Sequence, residues 1–175
     1  MASIPRRIVL TGSESTGKTT LAEGLARHFG VPWVPEFSRG YAEARGGVLT
    51  AADVEPIARG QCAAETAALA GGGPVVFDTD LQSTAVYARH YYGEVPLWVG
   101  RVIRQYPRSL YLLCDIDLPW ISDGVRDRPA DRAAMQARFW EALREFGIEA
   151  VTIRGSGPNR LAQAIDAVAR WRERK

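Results

Sequence analysis

Eight consecutive residues, Gly12-Ser13-Glu14-Ser15-Thr16-Gly17-Lys18-Thr19, follow the pattern G-x-x-x-x-G-K-[ST] of a phosphate-binding loop. This pattern constrains the fold because it works only where a strand runs into a glycine-rich loop and then a helix. Both flanks comply. Arg7-Ile8-Val9-Leu10-Thr11 is a short apolar run that reads as a buried strand. From Thr19 to Phe29, the residues Leu21, Leu25 and Phe29 recur at helical spacing.

Each part of the loop answers a need of a triphosphate. Gly12 and Gly17 can take backbone angles that a side chain forbids. The amides of Ser13, Glu14, Ser15 and Thr16 can then point inward as an anion nest, continued by Thr20 after the motif. A helix beginning near Lys18 adds its positive N-terminal end. Lys18 is expected to reach β- and γ-phosphate oxygens, and the Thr19 hydroxyl to ligate Mg²⁺. The loop thus calls for a nucleoside triphosphate and Mg²⁺. It leaves open the acceptor, and whether the reaction is transfer or hydrolysis.

The chain of 175 residues suits one domain, residues 1–175, with a substantial core. A net charge of +2 is too small to argue for a nucleic-acid partner, and no apolar run approaches membrane-spanning length. The first residues lack a signal-peptide core, and Cys62 and Cys114 show no metal or redox spacing. The expectation is a reduced, cytoplasmic protein. Oligomeric state is not legible.

Strands and helices alternate without repeats. Pro32 to Glu36 reads as a second strand. Thr50 caps an alanine-rich helix to about Leu69, and Gly71 to Pro74 is a turn. Val75-Val76-Phe77 is a third strand, with Asp78 at its C-terminal end. Helices follow over Leu81–Tyr92 and Val95–Tyr106, then a fourth strand, Ser109–Cys114. Asp131–Phe146 is helical, Glu149–Ile153 is a fifth strand, and Leu161, Ile165 and Val168 face inward from a last helix. Five apolar strands alternating with helices imply a parallel sheet covered on both faces. Ligands in such sheets bind beyond the carboxyl ends of the strands.

Three polar clusters fall at such ends. Glu36-Phe37-Ser38-Arg39 follows strand two. Glu36 can take a proton from an acceptor hydroxyl, or simply open a helix. Arg39 can pair with it or with an anionic substrate group. Asp78-Thr79-Asp80 follows strand three in the pattern of a Mg²⁺-holding Asp. Either Asp is a candidate base, and either can cap the next helix. Asp123 to Arg132 contains Arg126, Arg128 and Arg132, and with its surroundings (about residues 117–133) reads as an arginine-rich lid. Guanidinium forks suit a departing phosphoryl group, though each Arg also has an Asp near it. Trp33 and Trp120 lie close to strand ends, able to stack on a base or to pack.

Together these residues resemble the ribosylnicotinamide kinase domain of the bacterial regulator of NAD biosynthesis. Gly12–Thr19 is similar to that family's G-x-E-S-[ST]-G-K-[ST]. Glu36–Arg39 resembles its E-[YF]-x-R, Asp78–Asp80 its D-T-D, and Trp120–Arg126 its W-[VI]-x-D-G-[LV]-R. The resemblance implies an α/β P-loop kinase fold with strand order 2-3-1-4-5. It implies ATP- and Mg²⁺-dependent phosphorylation of the ribose 5′-hydroxyl of nicotinamide riboside. By motif position it carries over Lys18, Thr19, Glu36, Arg39, Asp78, Asp80, Asp123 and Arg126. The adenylyltransferase and DNA-binding parts of the larger protein find no room here. Where the family places an aromatic before the Glu, this chain has Pro35; Trp33, two residues earlier, points the same way on a strand. Another nucleoside or nucleotide as acceptor, and a nucleotide-binding switch or slow NTPase, are the alternative readings.

Overall fold

A computed structural model of the protein describes residues 4–121 and 131–173, the last two by backbone alone. Five parallel strands form one sheet in the order β2-β3-β1-β4-β5, as the resemblance implied. They are β1 (Arg7–Thr11), β2 (Trp33–Val34), β3 (Val75–Asp78), β4 (Leu110–Cys114) and β5 (Ala150–Ile153). The helices are α1 (Lys18–Phe29), α2 (Phe37–Ala44), α3 (Val54–Leu69), α4 (Leu81–Tyr92), α5 (Leu97–Gln105), α6 (Arg132–Glu145) and α7 (Gly157–Glu173).

The period-2 geometry of a strand sorts the core into two layers. Ile8 and Leu10 of β1, Val76 of β3 and Leu110 and Leu112 of β4 point to one face, against Leu21 and Leu25 of α1 and Val168 of α7. Val9, Phe77, Tyr111 and Leu113 point to the other, against Val86 of α4 and Phe139 and Leu143 of α6. A third cluster, including Ala58, Leu81, Val99 and Ile103, seats α5 against α3 and α4.

Besides shifts of one or two residues at other element ends, three features differ from the sequence reading. β2 has only two residues, because Pro32 and Pro35 flank it and neither has an N–H for a ladder. α2 is a full helix, anticipated only as a possible helix start at Glu36. Thr50 does cap, but through a 3-10 turn over Ala51–Asp53 in which its N–H donates to the Asp53 carboxylate (2.8 Å) before α3 begins.

Candidate active site

The loop between β1 and α1 adopts the geometry its glycines foretell. Gly12 (φ +120°) and Gly17 (φ +73°) both lie at positive φ, and Ser15 (φ +54°) joins them. At Gly12 a Cβ would come within 2.8 Å of the Cys114 carbonyl, so both space and backbone angle demand glycine. Lys18 turns back over the loop, its Nζ donating to the carbonyls of Gly12 (3.0 Å) and Ser13 (2.6 Å).

Side chains from distant elements hold the loop. Gln136 of α6 accepts from the Ser13 N–H (2.9 Å) and donates to the Cys114 carbonyl (2.9 Å). The Ser13 amide is therefore spent on the scaffold rather than offered to a phosphate. Arg160 of α7 donates to the carbonyls of Thr16 (2.9 Å) and Asp115 (3.1 Å) and pairs with Asp117 (2.8 Å). Arg132 donates to the carbonyls of Ser15 (2.8 Å) and Leu118 (2.7 Å). The Ser15 hydroxyl exchanges hydrogen bonds with the backbone of Ile121. Glu14 accepts from the Tyr91 hydroxyl (3.3 Å).

Glu14 to Thr20 open onto a cleft of about 420 Å³, closed on its other sides by Glu36, Arg39, Asp78, Leu118, Pro119 and Ile121. A second cavity of about 490 Å³ adjoins it, walled by Trp33, Pro35, Phe37 and Tyr41. Thr19, Glu36, Arg39 and Asp78 line both. At this junction the Thr19 hydroxyl donates to Asp78 Oδ2 (2.5 Å). Glu36 accepts from the Ser38 hydroxyl (3.0 Å) and pairs loosely with Arg39 (3.9 Å). Burial raises the Asp78 pKa above the ordinary carboxylate value, and the neighbouring Glu36 charge raises it further.

Asp80 requires a correction. Thr79 is in the left-handed region (φ +67°). The chain therefore turns sharply, leaving Asp78 toward the cleft and sending Asp80 into the core. Asp80 is fully buried, pairs with Arg7 (3.1 Å), accepts from the Tyr111 hydroxyl (2.6 Å) and caps α4 through the Gln82 N–H (3.1 Å). Its carboxylate is engaged in the core and lines neither cavity, which argues against a place at the acceptor hydroxyl. Arg132, bound to two backbone carbonyls, braces the loop and lines neither of these cavities. Trp120 sits beside the Arg132 guanidinium (5.9 Å to the ring centre) and lines neither of these two cavities. Trp33 does line the second cavity, with Pro35. Asp123, Arg126 and Arg128 lie outside the described residues.

Sequence reading missed a buried polar group on the α3 side of the sheet. Arg7 has no exposed surface, yet it was absorbed into an apolar strand. Its guanidinium pairs with Glu65 (3.0 Å) and Asp80 and lies over the Tyr106 ring (3.9 Å). Gln61 donates to Glu65 (3.0 Å). The one available signal was Gln61 and Glu65 at i, i+4 in an alanine-rich helix. Gln136 and Arg160 left none.

Thr19 and Asp78 offer a hard, oxygen-only donor pair, which fits Mg²⁺ held mostly by water and phosphate. Among the described residues no group of three or more His, Cys, Asp or Glu could hold a metal alone. No helix among them is long and apolar enough to cross a membrane.

A parallel 2-3-1-4-5 sheet, a phosphate loop after β1 and an acid at the end of β3 define a P-loop protein of the kinase fold. The AAA domain family description matches residues 7–160, and the chain belongs to that family. It is 31% identical over 156 residues to the trifunctional NAD biosynthesis/regulator protein NadR of Salmonella typhimurium. That match covers 85% of this chain but 38% of the relative, so the chain spans well under half of its length. A crystal structure of NadR in complex with NR superposes with a TM-score of 0.81 at 26% identity, covering 98% of this chain and 52% of that one. A second NadR structure, in complex with NAD and AMP-PNP, gives 0.79 at 27% identity, covering 98% and 51%.

Proposed function

We propose that the protein is an ATP- and Mg²⁺-dependent kinase that phosphorylates the 5′-hydroxyl of nicotinamide riboside, giving the mononucleotide. The observation that carries this reading is the pair of adjoining cavities meeting at Thr19, Glu36, Arg39 and Asp78. One is walled by the phosphate loop, the other by aromatic and apolar side chains suited to a nucleoside. The likeness to NadR, solved with NR and with AMP-PNP, supports the choice of both substrates.

In this reading Lys18 leaves the Gly12 and Ser13 carbonyls to meet β- and γ-phosphate oxygens at the N-terminal end of α1. Thr19 and Asp78 would hold Mg²⁺, which supplies neutralising charge on the phosphates. Glu36 faces both cavities and accepts the proton as the 5′-oxygen bonds to the γ-phosphorus. The bond from that phosphorus to the β-bridging oxygen breaks, and ADP leaves. Arg39, with its side chain 43% exposed, is placed to meet an anionic or hydroxyl group of the acceptor.

The test is a panel of nucleosides with ATP and Mg²⁺, read by mass spectrometry of the products. Nicotinamide riboside is expected to give the mononucleotide. Product from another nucleoside alone would move the acceptor assignment, with Pro35 and Trp33 the first walls to examine. No product from any member, together with slow ATP hydrolysis, would replace the kinase reading with a nucleotide switch.

A further inference from the structure

We infer that Glu43 makes the second, aromatic-walled cavity favour a nucleoside with a positively charged base over a neutral one. This rests on the proposed reading of that cavity as the acceptor site. Glu36, Arg39, Gly40 and Glu43 stand at i, i+3, i+4 and i+7, one face of α2 continued from its N-cap, and all four line the cavity. Glycine is a poor helix former, yet a Cβ at Gly40 would meet nothing within 4 Å. Packing therefore does not require glycine there, and the bare backbone leaves the wall open between Arg39 and Glu43.

The charges around this wall differ in their partners. Glu36 pairs with Arg39 (3.9 Å), and Asp78 bonds the Thr19 hydroxyl at the proposed metal position. Arg45 lies over the Tyr41 ring (5.4 Å) and pairs with Asp53 (3.2 Å). Glu43 is exposed, lines the cavity and forms no ion pair among the described residues. With the other acids matched, Glu43 leaves one negative charge in excess beside Trp33, Phe37 and Tyr41. Aromatic faces attract a cation through their quadrupole, and a nearby carboxylate adds to that attraction. The pyridinium ring of nicotinamide riboside gains from both, whereas a neutral base gains from neither. The exposure of Glu43 bounds its share to about a two- to fivefold change in affinity, shrinking as salt rises.

The test measures kcat/KM for nicotinamide riboside and for its reduced dihydropyridine form, which keeps the ribose and carboxamide but is neutral. The parent is expected to favour the cation by at least about fivefold at low salt. Glu43→Gln should lower the value for the cation by about two- to fivefold and leave that for the neutral riboside unchanged. Glu43→Lys should lower the cation's value further, and high salt should narrow the gap between parent and variants. An equal loss for both ribosides in Glu43→Gln marks a merely structural role and overturns the inference, as does an unchanged value for the cation. If the parent phosphorylates neither riboside, the proposed function fails instead. Equilibrium binding of the same two ribosides to parent and Glu43→Gln then decides this point, and equal affinities, or no binding of either, overturn it.

Discussion

The Thr19 hydroxyl donates to Asp78 Oδ2 across 2.5 Å, joining the first turn of α1 to the C-terminal end of β3. This contact puts the only two protein oxygens proposed for Mg²⁺ at one point of the cleft. Asp78→Asn would keep the shape but remove the charge. Turnover is expected to drop by about two orders of magnitude or more, with Mg²⁺ no longer strengthening ATP binding. Steady-state kinetics and titration of ATP with and without Mg²⁺ check this; full activity in Asp78→Asn removes the metal assignment.

The raised Asp78 pKa gives a pH dependence with a definite sign. Burial comes first and the Glu36 charge second, and both disfavour the carboxylate. As pH falls, Asp78 takes up a proton at a higher pH than an ordinary Asp, so Mg²⁺-dependent ATP binding is lost earlier on the acid side. Without metal, the same shift means that Asp78 costs folding stability as pH rises above the ordinary Asp value, and that acidification toward its raised pKa relieves the cost. Glu36→Gln should move the acid limb of Mg²⁺–ATP binding to lower pH. An unmoved limb would show that the two carboxylates do not interact.

Arg7 is buried between Glu65 and Asp80, and burial raises the Glu65 pKa while the two acids hold Arg7 charged. Arg7→Leu strands two carboxylates in the core and is expected to cost about 3–5 kcal/mol in urea denaturation. Asp80→Asn should likewise act on stability while leaving the KM for ATP nearly unchanged. A selective loss of kcat in a fully stable Asp80→Asn would return Asp80 to the site.

Gln136 bridges the Ser13 amide and the Cys114 carbonyl. Gln136→Ala leaves both buried groups unpaired, for a cost of about 1–3 kcal/mol. Because one of them belongs to the phosphate loop, ATP affinity should weaken together with Tm. Lost stability at unchanged ATP affinity would show that the loop keeps its shape without the brace.

Lys18 hydrogen-bonds to carbonyls of the loop it serves. Lys18→Met is expected to lower turnover at least about a hundredfold by removing the charge aimed at the β- and γ-phosphates. Measurable turnover close to the parent would deny it that task.

Much of this was legible in the residues because it depends on local pattern. The loop, its two glycines at positive φ, the alternation in β1, β3 and β4, and the exact span of α4 all follow from neighbours in the chain. Asp78 could be placed at a strand end for the same reason. β2 was overdrawn because its prolines extend the backbone without supplying ladder donors. Asp80 was misread because motif position does not reveal which way a side chain leaves a turn at positive φ.

The sequence by itself determined that a glycine-rich loop of the phosphate-binding pattern sits between a buried strand and a helix, with acids waiting at two other strand ends. Tertiary structure alone decided which of those acids reach the cleft. Arg7, Gln61 and Glu65 meet Asp80, Phe37 and Leu81 across 73, 24 and 16 residues, and the first of these contacts holds Asp80 in the core. A buried charge must find its partner and a helix N-terminus its acceptor, and only folding shows which residue, however distant in the chain, supplies them.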